Sequence, residues 1–111
     1  RRYGGTGKTF LRLDLTREQA PPVDAILCRE MLIHLSLDDG FKVLKNFRRS
    51  GAAYLFITTY PAVRENIDIC TGHWRWLNME LPPFGFPPPI ELIVEHDRVG
   101  RSLGVWRICD L

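Results

Sequence analysis

Cysteine is scarce in this chain. Cys28, Cys70 and Cys109 are three, an odd number, set far apart and with no C-x-x-C pair. That spacing suggests neither a structural zinc site nor a disulfide framework. Reduced thiols in an intracellular, cytoplasmic protein are therefore the expectation. No apolar run approaches the ~20 residues of a membrane span, so no membrane contact is expected. The opening Arg1-Arg2-Tyr3-Gly4-Gly5 leads into no apolar segment or small-residue cleavage site, and no signal peptide is expected. Charge of one sign is lacking too: 15 Lys and Arg against 13 Asp and Glu leave +2. A balance so near neutral gives no electrostatic footprint for nucleic acid, although a pI near 8.6 does not exclude a local basic patch.

Catalytic signatures are thin as well. No G-x-S-x-G elbow exists, and no nucleophile–base pair can be named from spacing. Gly5-Thr6-Gly7-Lys8-Thr9 imitates the end of a phosphate-binding loop, but the first glycine of that motif would fall on Arg2. No strand precedes it and no helix follows whose amides would face a phosphate, so a flexible turn is the better reading.

What remains is a globular composition. The 111 residues are 45% hydrophobic and 25% charged, which fits one domain and excludes a disordered chain. A chain of this size buries about two thirds of its unfolded surface and has little stability to spare.

Residues 10–14, Phe-Leu-Arg-Leu-Asp, alternate apolar and polar and read as a short strand. Pro21-Pro22 then force a loop. Asp24-Ala25-Ile26-Leu27-Cys28 is continuously apolar behind one acid, the pattern of a strand covered on both faces in a parallel sheet. Ser36 followed by Asp38 and Asp39 marks a helix start, and Leu37, Phe41, Leu44 and Phe47 repeat at the spacing of one buried face. Lys45, Arg48 and Arg49 fill the last turn before Ser50-Gly51. Tyr54–Thr59 is a second buried strand, stopped by Pro61. The rhythm is that of an α/β protein.

The stretch 60–89 holds six of the prolines together with Trp74, Trp76, Phe84 and Phe86. So long a loop inside one domain is often functional, and its aromatic content argues against disorder. Residues 90–95 and 102–109, separated by a polar turn at His96–Arg101, predict a β-hairpin. Cys28 and Cys109 lie inside apolar runs and read as small core residues.

Ligands of open α/β sheets bind beyond the carboxyl ends of the parallel strands. The candidates there are Asp14 and Leu15, then Cys28, Arg29 and Glu30, then Thr59 and Tyr60. Asp14 reads first as a turn former, and Arg29 and Glu30 also as partners of each other or of solvent. Glu30 and His34, four apart, would share a helical face, but no third metal ligand stands at a fixed spacing, so no metal is expected. His34 reads as a packed or capping histidine, and His73 and His96 as isolated loop residues.

Phe10–Thr16, Pro21–Ser36, Asn46–Gly51, Tyr54–Thr59, Thr71–Asn78 and Ser102–Trp106 together resemble the middle and end of a class I S-adenosylmethionine-dependent methyltransferase. The run Asp24–Ser36 is the most specific part. The resemblance implies a Rossmann-like, doubly wound sheet with helices on both faces and an antiparallel strand at its end. It implies S-adenosylmethionine as cofactor, with Asp14 on the adenine amine and the backbone at Leu15 beside it. Cys28, Arg29 and Glu30 would line the cofactor's methionine side and the substrate mouth. Tyr60, Trp74, Trp76 and Asn78 would form a substrate-side lid or wall.

The family's glycine-rich turn and its ribose-binding acid belong to an earlier strand, and neither is found in these residues. The chain is therefore expected to be the carboxyl-terminal half of the fold, inactive by itself, with a small-molecule or protein methyl acceptor. The alternative is a non-catalytic module that binds a partner or forms a homo-oligomer through an exposed sheet edge.

Overall fold

Ser36 starts the only α-helix among the described residues. In the computed structural model, which describes residues 7–111, its hydroxyl accepts the Asp39 amide at 3.1 Å and α1 runs over Leu37–Arg49. Asp38 and Asp39 sit in the first turn and Arg48 and Arg49 in the last, each matched to the helix dipole. Gly51, at φ +79°, lets the chain turn away. The buried face is Gly40, Val43, Leu44 and Phe47 with Asn46, rotated from the expected stripe. Phe41 is 42% exposed and covers Phe84 at 5.1 Å between ring centroids instead of entering the core.

Four strands form one mixed sheet in the order β1-β2-β4-β3: β1 Ala25–Cys28, β2 Tyr54–Thr59, β3 Glu91–Val94 and β4 Ser102–Arg107. β1 and β2 are parallel, Ala25 beside Tyr54 through Cys28 beside Ile57. β4 runs antiparallel to both β2 and β3, so the expected hairpin is present and its second strand is central. The described residues thus make a small α/β domain with a single helix layer.

α1 covers one face of the sheet. Cys28, Leu55, Ile57 and Trp106 join Val43, Leu44 and Phe47 in the core. Gly104 is required there, because a Cβ would collide with the six-membered ring of Trp106. That ring is fixed by its indole N–H, which donates to the Pro87 carbonyl at 2.6 Å, and by the edge of Phe86 at 5.1 Å.

Three expectations are corrected here. Residues 10–14 form no strand: a strand needs a neighbour to bond, and none of the described strands pairs with them. β1 is not covered on both faces, since Leu27 is 67% exposed on the side away from α1. Cys109 is exposed because the strand has ended and a short 3-10 turn, Ile108–Asp110, carries it outward.

The stretch 60–89 contains no helix or strand, yet it packs. The Cα radius of gyration of 14.2 Å is close to the ~13 Å of a compact chain this long. Leu77, Met79 and Phe86 are buried in the main core, and the buried Arg75 guanidinium donates to the carbonyls of Leu32, Ile33 and Ile67. Gly5 and Thr6, the start of the phosphate-loop-like stretch, lie outside the described residues; Gly7–Thr9 lead into no helix.

Candidate functional site

Because β1 and β2 are parallel, their carboxyl ends open at the same edge of the sheet. β1 ends at the buried Cys28, and burial alone pushes its thiol up to about 12. A thiol so rarely ionised at neutral pH is no nucleophile.

Arg29 and Glu30 come next. Glu30 has a left-handed backbone, φ +55°, which a side-chain-bearing residue adopts only when its surroundings impose it. Its amide donates to Thr58 Oγ1 at 2.7 Å, and Arg101 Nη1 reaches its carboxylate at 2.5 Å. Arg29 lies 3.6 Å from Glu30 but 2.6 Å from Glu95. The expected pairing of Arg29 with Glu30 is thus the weaker contact, and each has a closer partner in the hairpin turn. Arg101 also stands 3.5 Å from both Glu95 and Asp97. Donation to the Glu95 carboxylate first holds the Arg29 guanidinium above its ordinary value, and donation to the Glu30 carboxylate first does the same for Arg101.

Tyr60 follows β2 and is 3% exposed. Burial, and then the charge of Glu30, raise its phenol above the usual range. Its ring stacks on Trp76 with centroids 5.7 Å apart, and Trp76 touches Trp74 at 5.9 Å. Trp76 is 40% and Trp74 62% exposed, so the three rings climb from the interior to the surface.

Asn78 is buried and has a structural task. Its side-chain amide donates to the carbonyls of Pro61 and Val63, and its backbone N–H donates to Asn66 Oδ1 at 2.8 Å. Those bonds staple the two limbs of the 60–89 stretch beside a shallow groove of about 410 Å³.

Asp14 lies in a turn. Its Oδ1 accepts from the Thr16 hydroxyl at 2.6 Å and the Thr16 amide at 3.0 Å, and the hydroxyl first holds the carboxyl below its ordinary value. Leu15 packs partly on the core, and its carbonyl accepts from the buried Asn46 amide. Without a strand over 10–14, no ladder sets Asp14 against Cys28–Glu30.

The structure therefore brings together Arg29, Glu30, Tyr60, Trp76 and Trp74, and gives Asn78 and Asp14 local tasks. It adds Thr58, Glu95, Asp97 and Arg101. The sequence marks Glu95 only as the end of a strand-like run and Asp97 and Arg101 only as part of a polar turn, and Arg101 is 71 residues from Glu30.

Two other sites are weaker. The α1 N-terminus is no anion site, because Ser36, Asp68 and Thr71 side chains take the amides of Asp39, Leu37 and Ser36. His34 is exposed rather than packed, in a 3-10 turn with Nδ1 3.2 Å from the His73 carbonyl, and the left-handed Glu30 shares no helical face with it. Among the described residues no group of three His, Cys, Asp or Glu is placed to hold a metal, and no helix is long and apolar enough to cross a membrane. Comparison with protein-family models, curated proteins and solved structures finds no match.

Proposed function

We propose that this chain is the carboxyl-terminal half of a Rossmann-like, class I methyltransferase sheet, working on a small-molecule or protein acceptor in the cytoplasm. The observation that carries the reading is the sheet itself. Its final strand, β4, is its one antiparallel member and lies between β2 and β3, and the polar corner sits at the carboxyl ends of the parallel pair.

The residues present fit half of S-adenosylmethionine. Arg29 offers a guanidinium on the methionine side. Asp14 Oδ2 accepts no bond among the described residues and is available to an adenine amine, with Leu15 beside it. The cofactor supplies an electrophilic methyl carbon when bound. In-line displacement at that carbon needs alignment more than a strong base. Here Glu30, fixed by Thr58 and Arg101, orients the acceptor, while Tyr60 and Trp76 wall off water.

Calorimetry with S-adenosylmethionine tests the proposal on two chains. One is this chain; the other also carries, ahead of Arg1, an amino-terminal half with a strand ending in a glycine-rich turn. The longer chain should bind much more tightly, and equal heats from both would count against the reading.

A second reading has its own observation. The sheet face away from α1 bears a groove of about 390 Å³ lined by Ala25, Ile26, Leu27, Phe56, Ile93 and Leu103, all apolar. The outer edge of β1 is unpaired among the described residues. Uncovered apolar surface beside an open edge favours self-association or a protein partner. Sedimentation at several concentrations decides: association that Leu27→Lys abolishes supports this module, and a monomer throughout removes it.

A further inference from the structure

We infer that the aromatic ladder and the carboxylate corner together form a site for a cationic nitrogen group, an alkylammonium or a guanidinium. On the methyltransferase reading, the methyl acceptor is then an amine or a guanidine rather than an alcohol or a thiol: the bound cation would give up a proton to the Glu30 carboxylate or to water, and the freed nitrogen lone pair would take the methyl group as the sulfonium carbon–sulfur bond breaks to leave a thioether.

Two features converge on that ligand. The first is the ladder Tyr60–Trp76–Trp74. Trp74 at 62% and Trp76 at 40% exposure leave indole surface open to water beside one another, with Tyr60 stacked against Trp76 on the inner side. Indole faces are electron-rich and attract cations more strongly than other aromatic side chains do. The second is the charge at the inner end of the ladder. Glu30, Glu95 and Asp97 face Arg29 and Arg101 in one lattice, three negative groups against two positive ones. The Glu30 amide donates to Thr58 Oγ1 at 2.7 Å, and Thr58 stands two residues before Tyr60 at the end of β2, which joins the two features in space.

Details of the corner leave room for a ligand. Glu95 Oε1 and Arg101 Nε are both buried without a hydrogen-bond partner, so the ion pairs inside the corner do not satisfy it fully. The Glu30 side chain keeps 36% of its surface open, so a ligand can reach it. Its position is already fixed through Thr58 and Arg101, so little freedom is lost on binding. An anion would meet the excess negative charge, and a neutral alcohol would gain apolar contact on the indoles but no charge attraction.

The test uses the whole chain without S-adenosylmethionine. Methylguanidinium and tetramethylammonium are titrated against it, with tert-butanol as the neutral control of similar size. Indole N–H and backbone amide signals are followed by NMR. Both cations should shift the Trp74 and Trp76 indoles and the Glu30 amide saturably, while the buried Trp106 stays still. Glu30→Gln should weaken binding about tenfold, and Trp76→Leu about fivefold. Trp74→Leu, at the most exposed ring, serves as the second variant where either of these disturbs the fold, and it too should weaken binding. Equal shifts with tert-butanol, no saturable shift with either cation, or unchanged affinity in the folded variants would overturn the inference. Cation binding by a chain that fails the calorimetric test above leaves this site standing and removes the methyltransferase reading. Calorimetric success without cation binding does the reverse.

Discussion

Asn46→Ala should detach the segment ahead of β1 from the helix. Asn46 is 8% exposed on α1 and makes three bonds to that segment. Its Oδ1 accepts the Ala20 amide at 2.8 Å, and its Nδ2 donates to the carbonyls of Leu15 at 2.9 Å and Glu18 at 2.5 Å. At about 1 kcal/mol net for each bond, the loss is about 3 kcal/mol. The released groups regain water, which keeps the cost from rising further. For a domain of this size that is a fall in Tm of roughly 15 °C. Thermal denaturation followed by circular dichroism gives the shift, and hydrogen exchange at the Ala20 amide locates it. Asn46→Asp should be worse at neutral pH, because a carboxylate would face the Leu15 and Glu18 carbonyls. Its folded-state carboxyl is then raised above the ordinary value near ~4, so the penalty is full above the raised value, fades as pH falls from there towards ~4, and is gone below it. A Tm within a few degrees of the parent, with Ala20 still protected, would refute the clamp.

Other outcomes follow from the core. Thiol reagents near pH 8 should label Cys70 and Cys109 quickly and leave Cys28 untouched until the chain unfolds, since the first two are exposed and Cys28 is buried. The unfolded Cys28 thiol ionises from about pH 9 and the folded one only near 12, so stability falls as pH rises through that window, by up to about 4 kcal/mol. Cys28→Ala should remove that part of the alkaline slope in pH-dependent denaturant melts. Gly104→Ala should cost about 2 kcal/mol in the same melts, because the Trp106 ring must leave its place.

The parts of the fold that local chemistry decides were legible. Ser36, the acids behind it and Gly51 bounded α1, and the residues of β2 and of the hairpin carried their own strand propensity. What failed depended on neighbours. Phe10–Asp14 has a strand's alternation but no described strand beside it, and an apolar run such as Ala25–Cys28 does not say that one of its faces lies open. Spacing also missed which side of α1 turns inward, because Gly40 and Val43 fit under the chain where Phe41 does not. At the site, Arg29, Glu30 and Tyr60 could be named from strand ends. Their partners Glu95 and Arg101 could not, since only the return of the hairpin beside β2 brings them there.

The carboxyl ends of β1 and β2 are proposed as one side of an S-adenosylmethionine pocket. Amide shifts of the ¹⁵N-labelled 111-residue chain on titration with S-adenosylmethionine test it most directly, because NMR detects weak binding residue by residue. Shifts are expected at Cys28, Arg29 and Glu30 and at Asp14 and Leu15. Shifts confined to the apolar face around Leu27 and Ile93, or none at saturating ligand, would contradict it.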